Sequence, residues 1–160
     1  MFREMKRGKQ LLSMEETAAV LCRGTNGVLA CLGDEDYPYA VPLSYVYFND
    51  KIYFHSAKSG HKVDAVMKSP KVSLAVIDED TIVSEEYTTY FRSVIAFGKA
   101  RIVEDDEWLE AFKALVEKYS GDQPTEAKHK EIVGCRQSYI IAIDIEHITG
   151  KEAIEIIKKK

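Results

Sequence analysis

Cysteine is scarce in this chain of 160 residues, which contains only three. Cys22, Cys31 and Cys135 are odd in number, widely spaced and without a C-x-x-C pair, so they predict neither a disulfide framework nor a zinc site. We interpret them as reduced thiols that pack as small apolar residues. No apolar run approaches the roughly 20 residues of a membrane span, and the charged N-terminus lacks the apolar core of a signal peptide. We therefore expect a cytoplasmic protein that does not bind a membrane.

An excess of positive charge is also missing. The formal net charge is −4 and no long basic stripe occurs, which argues against sequence-independent binding of nucleic acid, because that binding depends on clustered lysine and arginine side chains. Neither a G-x-x-x-x-G-K-[ST] nor a G-x-G-x-x-G motif is present, so the common phosphate-binding loops are absent. His55 and His61 belong to no H-x-x-x-H pattern, and we predict no metal site.

β-Branched and aromatic residues are plentiful and cluster in six segments that predict strands. These segments are 28–33, 39–48, 51–57, 71–77, 90–104 and 138–148. Pro42 cannot donate a ladder hydrogen bond, so it should lie at a sheet edge, a bulge or a functional irregularity. We predict that the acidic segment 78–89 is a long loop and that Gly98 bends its strand.

Four segments have the apolar spacing of helices. The first begins at the capping-box pair Ser13 and Glu16 and covers 14–22. The second follows Gly60 and ends before Pro70. The third runs from Trp108 to Tyr119, and a weaker fourth covers 126–134. The strands follow one another through short connections, which favours an antiparallel barrel with helices packed outside over a doubly wound parallel sheet. The fold class is thus mainly β with α, and the length favours a single domain over residues 1–160.

The stretch YFHSAKSGHK, residues 53–62, joins a predicted strand to a predicted helix. A helix N-terminus exposes unpaired N–H groups and favours anions. Gly60 would let the backbone approach a ligand closely, Ser56 would add a hydroxyl donor, and Lys62 places a positive charge where the helix alone disfavours one. These features indicate a phosphate site; the alternative is ordinary capping, which uses the same serine and glycine residues. Lys58 is predicted to be merely solvated.

Three longer segments together resemble a known family. They are YAVPLSYVYFNDKIYFHSAKSGHKVDAVMKSPKVSLAV (39–76), YFRSVIAFGKARIVED (90–105) and IDIEHITGKEA (143–153). In the order and spacing of these motifs, the chain resembles the nitroimidazole-resistance branch of the pyridoxamine phosphate oxidase-like flavoproteins. The resemblance implies a six-stranded antiparallel split β-barrel with flanking helices, and a homodimer that binds FMN at the subunit interface.

The resemblance also implies a set of cofactor-binding residues. Backbone groups of an edge strand would line the flavin ring at Ala40, Val41, Pro42, Leu43, Ser44 and Tyr45. His55 would lie near the ring, Ser56 would contact the phosphate, and His61 and Lys62 would hold the phosphate as a basic pair at the joint that Gly60 opens. Arg92 and Ser93 would reach the flavin from the partner subunit; the alternative for Arg92 is an ion pair with the acids of 78–80. The segment TGKE (149–152) either closes a turn or contacts the site.

The vitamin-forming oxidases of this family carry arginines where this chain has Ala40 and His61. Their C-terminal substrate-binding arginines also have no clear counterpart, so oxidation of pyridoxamine phosphate is disfavoured. The leading hypothesis is an FMN-dependent oxidoreductase that reduces a small organic acceptor such as a nitroaromatic or nitroimidazole compound, with His55 as a catalytic residue that donates a proton or a hydrogen bond. The alternative is a non-catalytic flavin- or haem-binding module that acts as a sensor, carrier or store.

Overall fold

The computed structural model describes residues 1–160, and its first α-helix begins where the capping box predicts. Glu16 N–H donates to the Ser13 hydroxyl (3.1 Å), and Ser13 N–H donates to Glu16 Oε2 (3.1 Å). These two bonds satisfy backbone donors that a helix start leaves free. Helix α1 spans Met14–Arg23, which confirms the predicted helix at 14–22.

The remaining helices match the other three predicted segments, with one addition. α2 spans His61–Lys68, α3 Asp105–Ser120, α4 Thr125–Gly134 and α5 Ile154–Ile157. The sequence does not predict α5, because four residues are too few for a helical periodicity to be recognised. None of the helices combines the length and the apolar character that a membrane crossing requires.

Seven strands form one sheet in which all neighbouring strands are antiparallel. β1 spans Gly27–Leu32, β2 Pro38–Leu43, β3 Val46–Phe48, β4 Lys51–Ser56, β5 Lys71–Val83, β6 Thr88–Val103 and β7 Tyr139–Glu152. The strand order is β2-β1-β5-β6-β7-β4-β3, so the sheet does not close and β2 and β3 are its edges. This arrangement is a split β-barrel with flanking helices, which confirms the predicted fold class.

The sheet has seven strands instead of six because the predicted strand 39–48 is interrupted at Ser44 and Tyr45. Its two halves, β2 and β3, lie at opposite edges of the sheet. Tyr45 is fully buried. Its N–H donates to the Tyr119 hydroxyl (3.0 Å), and that hydroxyl lies 2.6 Å from the Tyr45 carbonyl, to which it donates. A side chain of α3 therefore takes the place of a ladder partner at this point.

The predicted loop at 78–89 is wrong. β5 continues to Val83 and β6 begins at Thr88, so the two strands form a long hairpin closed by a short turn at 84–86. Thr81, Ile82 and Val83 pair with Tyr90, Thr89 and Thr88. These residues are mostly β-branched and have high strand propensity, which outweighs the acidic residues around them.

Apolar side chains form two clusters on opposite faces of the sheet. The larger cluster fills the inside of the barrel, and the smaller one lies between the sheet and helices α3 and α4. β4 contributes to both, because alternate residues of a strand point to opposite faces: Phe54 belongs to the larger cluster and Tyr53 to the smaller one. The same alternation places His55 and Ser56 on opposite faces.

Gly98 marks an irregularity in the pairing of β6 with β7. Phe97 pairs with His147 and Gly98 with Ile145, so the extra residue of this β-bulge is Glu146 of β7, and a β-bulge bends the strand that carries it. A Cβ on Gly98 would lie 2.2 Å from the carbonyl oxygen of Asp144. The bend of β6 at Gly98 stays a prediction, and what the structure shows is an approach of two strands that leaves no room for a side chain at this position.

Candidate functional site

The joint between β4 and α2 consists of residues 57–60, between Ser56 and His61. Gly60 is the N-cap of α2 and has φ 135° and ψ 166°, a conformation that side-chain-bearing residues rarely adopt. A Cβ added at Gly60 would meet no heavy atom within 4 Å. The joint is therefore open where the helix begins.

The start of α2 leaves a run of backbone donors without acceptors. No N–H group from Ser59 to Val63 donates to the rest of the chain, and no side chain caps the helix. The first helical bond runs from Asp64 N–H to the Gly60 carbonyl (3.0 Å). Adjacent unpaired N–H groups at a helix N-terminus attract anions. The joint thus has the donors that a phosphate group requires.

Lys62 supplies a positive charge that no carboxylate of the chain neutralises. Its side chain is half-buried and forms no ion pair. It lies close enough to His55 to help lower the pKa of that imidazole. A cation in the first turn is unfavourable for an isolated helix, and an anion bound at the joint would offset this cost.

His61 points away from Lys62. Its Nε2 accepts a hydrogen bond from Asp34 N–H (3.2 Å), and its ring stacks on Tyr39 with centroids 3.9 Å apart. Consecutive residues of an α-helix are about 100° apart around its axis, so the two side chains reach different neighbours. The predicted basic pair is divided: Lys62 lies near His55, whereas His61 attaches α2 to the start of β2.

His55 is exposed on the face of β4 that packs against α3. Its ring meets the edge of the Phe112 ring, with centroids 5.8 Å apart and planes at 84°. Partial desolvation of the ring lowers the pKa of His55 from its ordinary 6.5, the charge of Lys62 lowers it further, and Glu131 opposes the change. The lowered pKa favours the neutral imidazole, which has one N–H to donate.

Ser56 lies on the other face of β4 and is buried. Its hydroxyl donates to the carbonyl of Ala57 (2.9 Å), so this donor is already used within the chain. The sequence places His55 and Ser56 side by side, and the pleat of the strand separates them.

The predicted flavin-lining strand is β2, with its continuation to Ser44 and Tyr45. β2 is an edge strand, which confirms that Pro42 lies at a sheet edge. Ala40 and Pro42 are exposed, whereas Val41 and Leu43 pack against the inside of the barrel. Tyr45 differs from its neighbours, because Tyr119 uses both its N–H and its carbonyl.

Arg92 and Ser93 lie far from the joint within the same chain. Val103 lies eleven positions after Arg92 on β6 and is level with His55 across β7, a path of about 35 Å along the strand. Arg92 donates to Asp78 (2.9 Å) and to Glu152 (3.1 Å). The ion pair with Asp78 confirms the alternative for Arg92, which is pairing with the acids of 78–80.

The segment 149–152 does not close a turn. It continues β7 and pairs with β6, so that Lys151 is opposite Ser93 and Glu152 opposite Arg92. Glu152 is buried and is also paired with Lys160 at 2.7 Å. Within one chain, this segment therefore lies beside Arg92 and not beside the joint.

A cleft of about 620 Å³ lies elsewhere, between the N-terminal residues and the sheet. Phe2, Leu32, Pro38 and Phe97 contribute to its walls, and neither His55, Lys62 nor Arg92 lines it. It is a predominantly apolar surface with few groups that could perform chemistry, so the joint remains the candidate site.

Sequence reasoning missed the surroundings of Lys58. Its Nζ donates to Gln137 Oε1 (3.3 Å) and lies 5.7 Å from the centroid of the Tyr139 ring. Lys58 lines a smaller cleft of about 350 Å³ together with Trp108 and Arg136. No local pattern indicates this cleft, because its walls come from segments about 80 residues apart in the sequence.

The class of protein that this fold defines is the split β-barrel, and the sequence places the chain within one family of that class. A family model described as pyridoxamine 5'-phosphate oxidase matches residues 13–152, and the chain belongs to this family. No curated protein sequence gives a significant match.

Several solved structures share the fold. A conserved hypothetical protein of Mycobacterium tuberculosis has a TM-score of 0.80 at 22% identity, over 93% of this chain and 90% of that one. A candidate 5-nitroimidazole antibiotic resistance protein of Bacteroides thetaiotaomicron has a TM-score of 0.73 at 20% identity, over 89% and 86%. An FAD and haem binding protein of Mycobacterium smegmatis has a TM-score of 0.72 at 20% identity, over 94% and 80%.

Proposed function

We propose that the chain binds FMN, with the phosphate of the cofactor at the joint between β4 and α2. The unpaired N–H groups from Ser59 to Val63 are the observation that carries this proposal, because they offer several donors to one anion. Gly60 leaves room for close approach, and Lys62, which has no carboxylate partner, would add a charge-assisted contact. The residues present therefore fit a phosphate-bearing cofactor.

The flavin ring would lie along the edge strand β2. One side of an edge strand has no ladder partner, so backbone groups at 40–44 would be free to bind the ring. Tyr45 is left out of this proposal, since Tyr119 uses both its backbone groups. The resemblance to flavoproteins supports a flavin as the ligand, and so does the likeness to a protein described as FAD and haem binding.

We propose that the chain forms a homodimer with FMN at the subunit interface. The outer face of the sheet exposes apolar side chains, among them Ile77 and Ile95 at 68% and 41% exposure, and a second copy would cover them. The path of about 35 Å between the joint and Ser93 also favours a dimer: one cofactor would meet the joint of one subunit and the Ser93 region of the other. Arg92 would stabilise that region through its own ion pairs.

The reaction we propose is the reduction of a small organic acceptor such as a nitroaromatic compound. When bound, the flavin would supply the electrons or the hydride. The chain would hold the phosphate, present one face of the ring and donate a hydrogen bond to the acceptor from the neutral imidazole of His55. The likeness to a candidate 5-nitroimidazole antibiotic resistance protein supports this class of acceptor.

A second candidate function is a flavin- or haem-binding module without turnover. The description of the Mycobacterium smegmatis protein as binding both FAD and haem favours it. An absorption spectrum separates the two candidates, because a Soret band would indicate haem, and a flavin spectrum that NAD(P)H bleaches and a nitro compound restores would indicate the enzyme.

The phosphate site is tested by Lys62→Ala. Loss of a charge-assisted contact should weaken FMN binding by about 1.5–3 kcal/mol, which is roughly 10- to 150-fold in Kd, measured by quenching of flavin fluorescence. Lys68→Ala is the matched control, since Lys68 lies in the last turn of the same helix and should leave the affinity unchanged. Equal affinities of wild type and Lys62→Ala would place the phosphate elsewhere.

The role of His55 is tested by His55→Ala in steady-state nitro reduction. We expect a fall in kcat of about 100-fold, the lower end for loss of a proton-transfer group, with FMN affinity within twofold of the wild type. Full turnover by the flavin-loaded variant would exclude His55 from the reaction and leave the FMN proposal intact.

A further inference from the structure

Residues 3–9 form a segment that is attached to strand β7 at both of its ends. Before the segment, the Phe2 ring stacks on the His147 ring, with centroids 4.6 Å apart and planes at 8°. After it, Leu11 forms an isolated β-bridge with Lys151. Both attachment points therefore lie on one strand, and the segment is part of the folded surface. We call residues 3–9 the basic strap.

The basic strap carries positive charge that no ion pair neutralises. Its exposed cations, none of which takes part in an ion pair of the chain, are Arg3, Lys6, Arg7 and Lys9. Glu4 is the only carboxylate of the strap, which leaves an excess of three positive charges. The whole chain has a formal net charge of −4, so the strap is opposite in sign to the rest of the surface.

The other end of the chain brings two further lysines to the strap. Helix α5 packs on the single 3-10 turn at Gly8–Gln10, where the strap ends. Lys158, directly after α5, is exposed and has no ion pair, and neither has Lys151, the bridge partner of Leu11. Glu155 of α5 offsets one of these charges. The fold thus concentrates cations that lie about 150 residues apart in the sequence.

Exposed apolar side chains lie beside these cations. Leu11 is 50% exposed and Met14 is 66% exposed, although Leu12 between them is buried. Apolar side chains among lysines and arginines are typical of surfaces that bind the boundary between lipid headgroups and acyl chains. Contacts of cations with the phosphates of nucleic acid would leave Leu11 and Met14 in water. The combination therefore favours a lipid surface over a nucleic acid.

We propose that the basic strap binds the surface of an anionic phospholipid bilayer. Clusters of four to eight lysines and arginines are sufficient to attract anionic headgroups, and the strap has six together with Lys151 and Lys158. Leu11 and Met14 would enter the boundary below the headgroups. Binding of this kind needs no membrane-spanning segment, so the absence of one, from which the sequence predicts that the protein does not bind a membrane, does not oppose it.

Sedimentation with vesicles tests the proposal. We expect the protein to sediment with vesicles of phosphatidylcholine and phosphatidylserine in equal amounts, and not with phosphatidylcholine alone. Each lysine or arginine near the lipid surface contributes about fivefold, so replacing the four strap cations by glutamine should lower the partition coefficient at least about 100-fold. Both this variant and its control alter exposed side chains, so both should fold, which circular dichroism verifies. The control replaces four cations on other surfaces by glutamine, namely Lys68, Lys113, Lys130 and Arg136, and should bind like the wild type.

Failure of the wild type to sediment with the mixed vesicles would overturn the proposal, and so would equal sedimentation of the wild type and the strap variant. Tighter binding of duplex DNA than of the mixed vesicles, at the same phosphate and salt concentrations, would assign the strap to nucleic acid and overturn the proposal as well. Tyr139, which is level with the joint, and His147 are eight positions apart on β7, so the proposed flavin site would stand after any of these results.

Discussion

Lys62 and His61 are neighbours in the sequence but have different surroundings in the structure. Lys62 lies near His55 without a carboxylate partner, whereas His61 is held by the backbone of Asp34 and the ring of Tyr39. The candidate site is thus assembled from single residues, each with its own set of neighbours.

The pKa of His55 predicts a pH dependence of stability. Burial and Lys62 lower this pKa below its ordinary 6.5, so the folded state binds its proton less readily than the unfolded state does. Stability attributable to His55 is therefore present above about pH 6.5 and is lost as the pH falls through the lowered pKa. Chemical denaturation of wild type and His55→Gln between pH 5 and 8 measures this contribution as the difference between the two curves. Parallel curves would contradict the lowered pKa.

The residue scale also shows the limit of sequence reasoning. The joint between strand and helix could be predicted, because glycine, serine and lysine at a strand-to-helix transition are a local pattern. The hydrogen bond between Asp34 N–H and His61 could not be predicted, because the two residues are 27 positions apart in the sequence. The ion pair of Arg92 with Asp78 is predicted as an alternative, because Asp78 is close in the sequence, whereas the ion pair with Glu152 is not predicted, because Glu152 is 60 residues away.

Strand β6 runs from the region of Arg92 and Ser93 to Val103, which is level with the joint between β4 and α2. It pairs with β5 and β7 along nearly its whole length, and its Gly98 lies opposite the β-bulge that Glu146 forms in β7. The backbone of Asp144 occupies the space in which a side chain at this position would lie. The close approach of β6 and β7 therefore depends on glycine.

Gly98→Ala should destabilise the fold by about 3 kcal/mol, the upper end for overpacking, because backbone atoms cannot move aside as a flexible side chain can. The measurement is the free energy of unfolding in urea. Gly134→Ala is the control, since a Cβ there meets nothing within 4 Å. A change of less than about 1 kcal/mol for Gly98→Ala would show that β6 and β7 can separate without cost.

Element boundaries were predicted where local chemistry sets them and missed where distant contacts do. The capping box predicts the residue at which α1 begins, and clusters of β-branched residues predict the positions of most strands. The break between β2 and β3 depends on the hydrogen bonds of Tyr45 with Tyr119, which is 74 residues away. The local sequence pattern around Tyr45 therefore does not predict this break. The acidic residues of 78–89 predict a loop, whereas the threonine, isoleucine and valine residues between them have the strand propensity that the hairpin follows.

At the scale of the whole molecule, we propose that residues 1–160 fold as one domain around one sheet and that two such domains share the cofactor sites. The apolar outer face, the open edge of β2 and the separation of Ser93 from the joint all support a dimer. In this account, assembly and cofactor binding depend on each other.

Ile95→Asp should therefore weaken the dimer and reduce FMN binding together, because it places a charge in the centre of the apolar outer face. Sedimentation velocity at several protein concentrations measures the first effect, and flavin fluorescence the second. Val133→Asp is the matched control, an exposed apolar residue on α4. A dimer that persists in Ile95→Asp would move the interface to another surface.

The central claim, that the joint between β4 and α2 makes this chain a flavoprotein, is tested most directly by one absorption spectrum. The purified protein is incubated with FMN, desalted and scanned from 300 to 600 nm. The account predicts the two absorption bands of an oxidised flavin at about one FMN per chain, the stoichiometry of one joint per subunit. A colourless protein after desalting would contradict it.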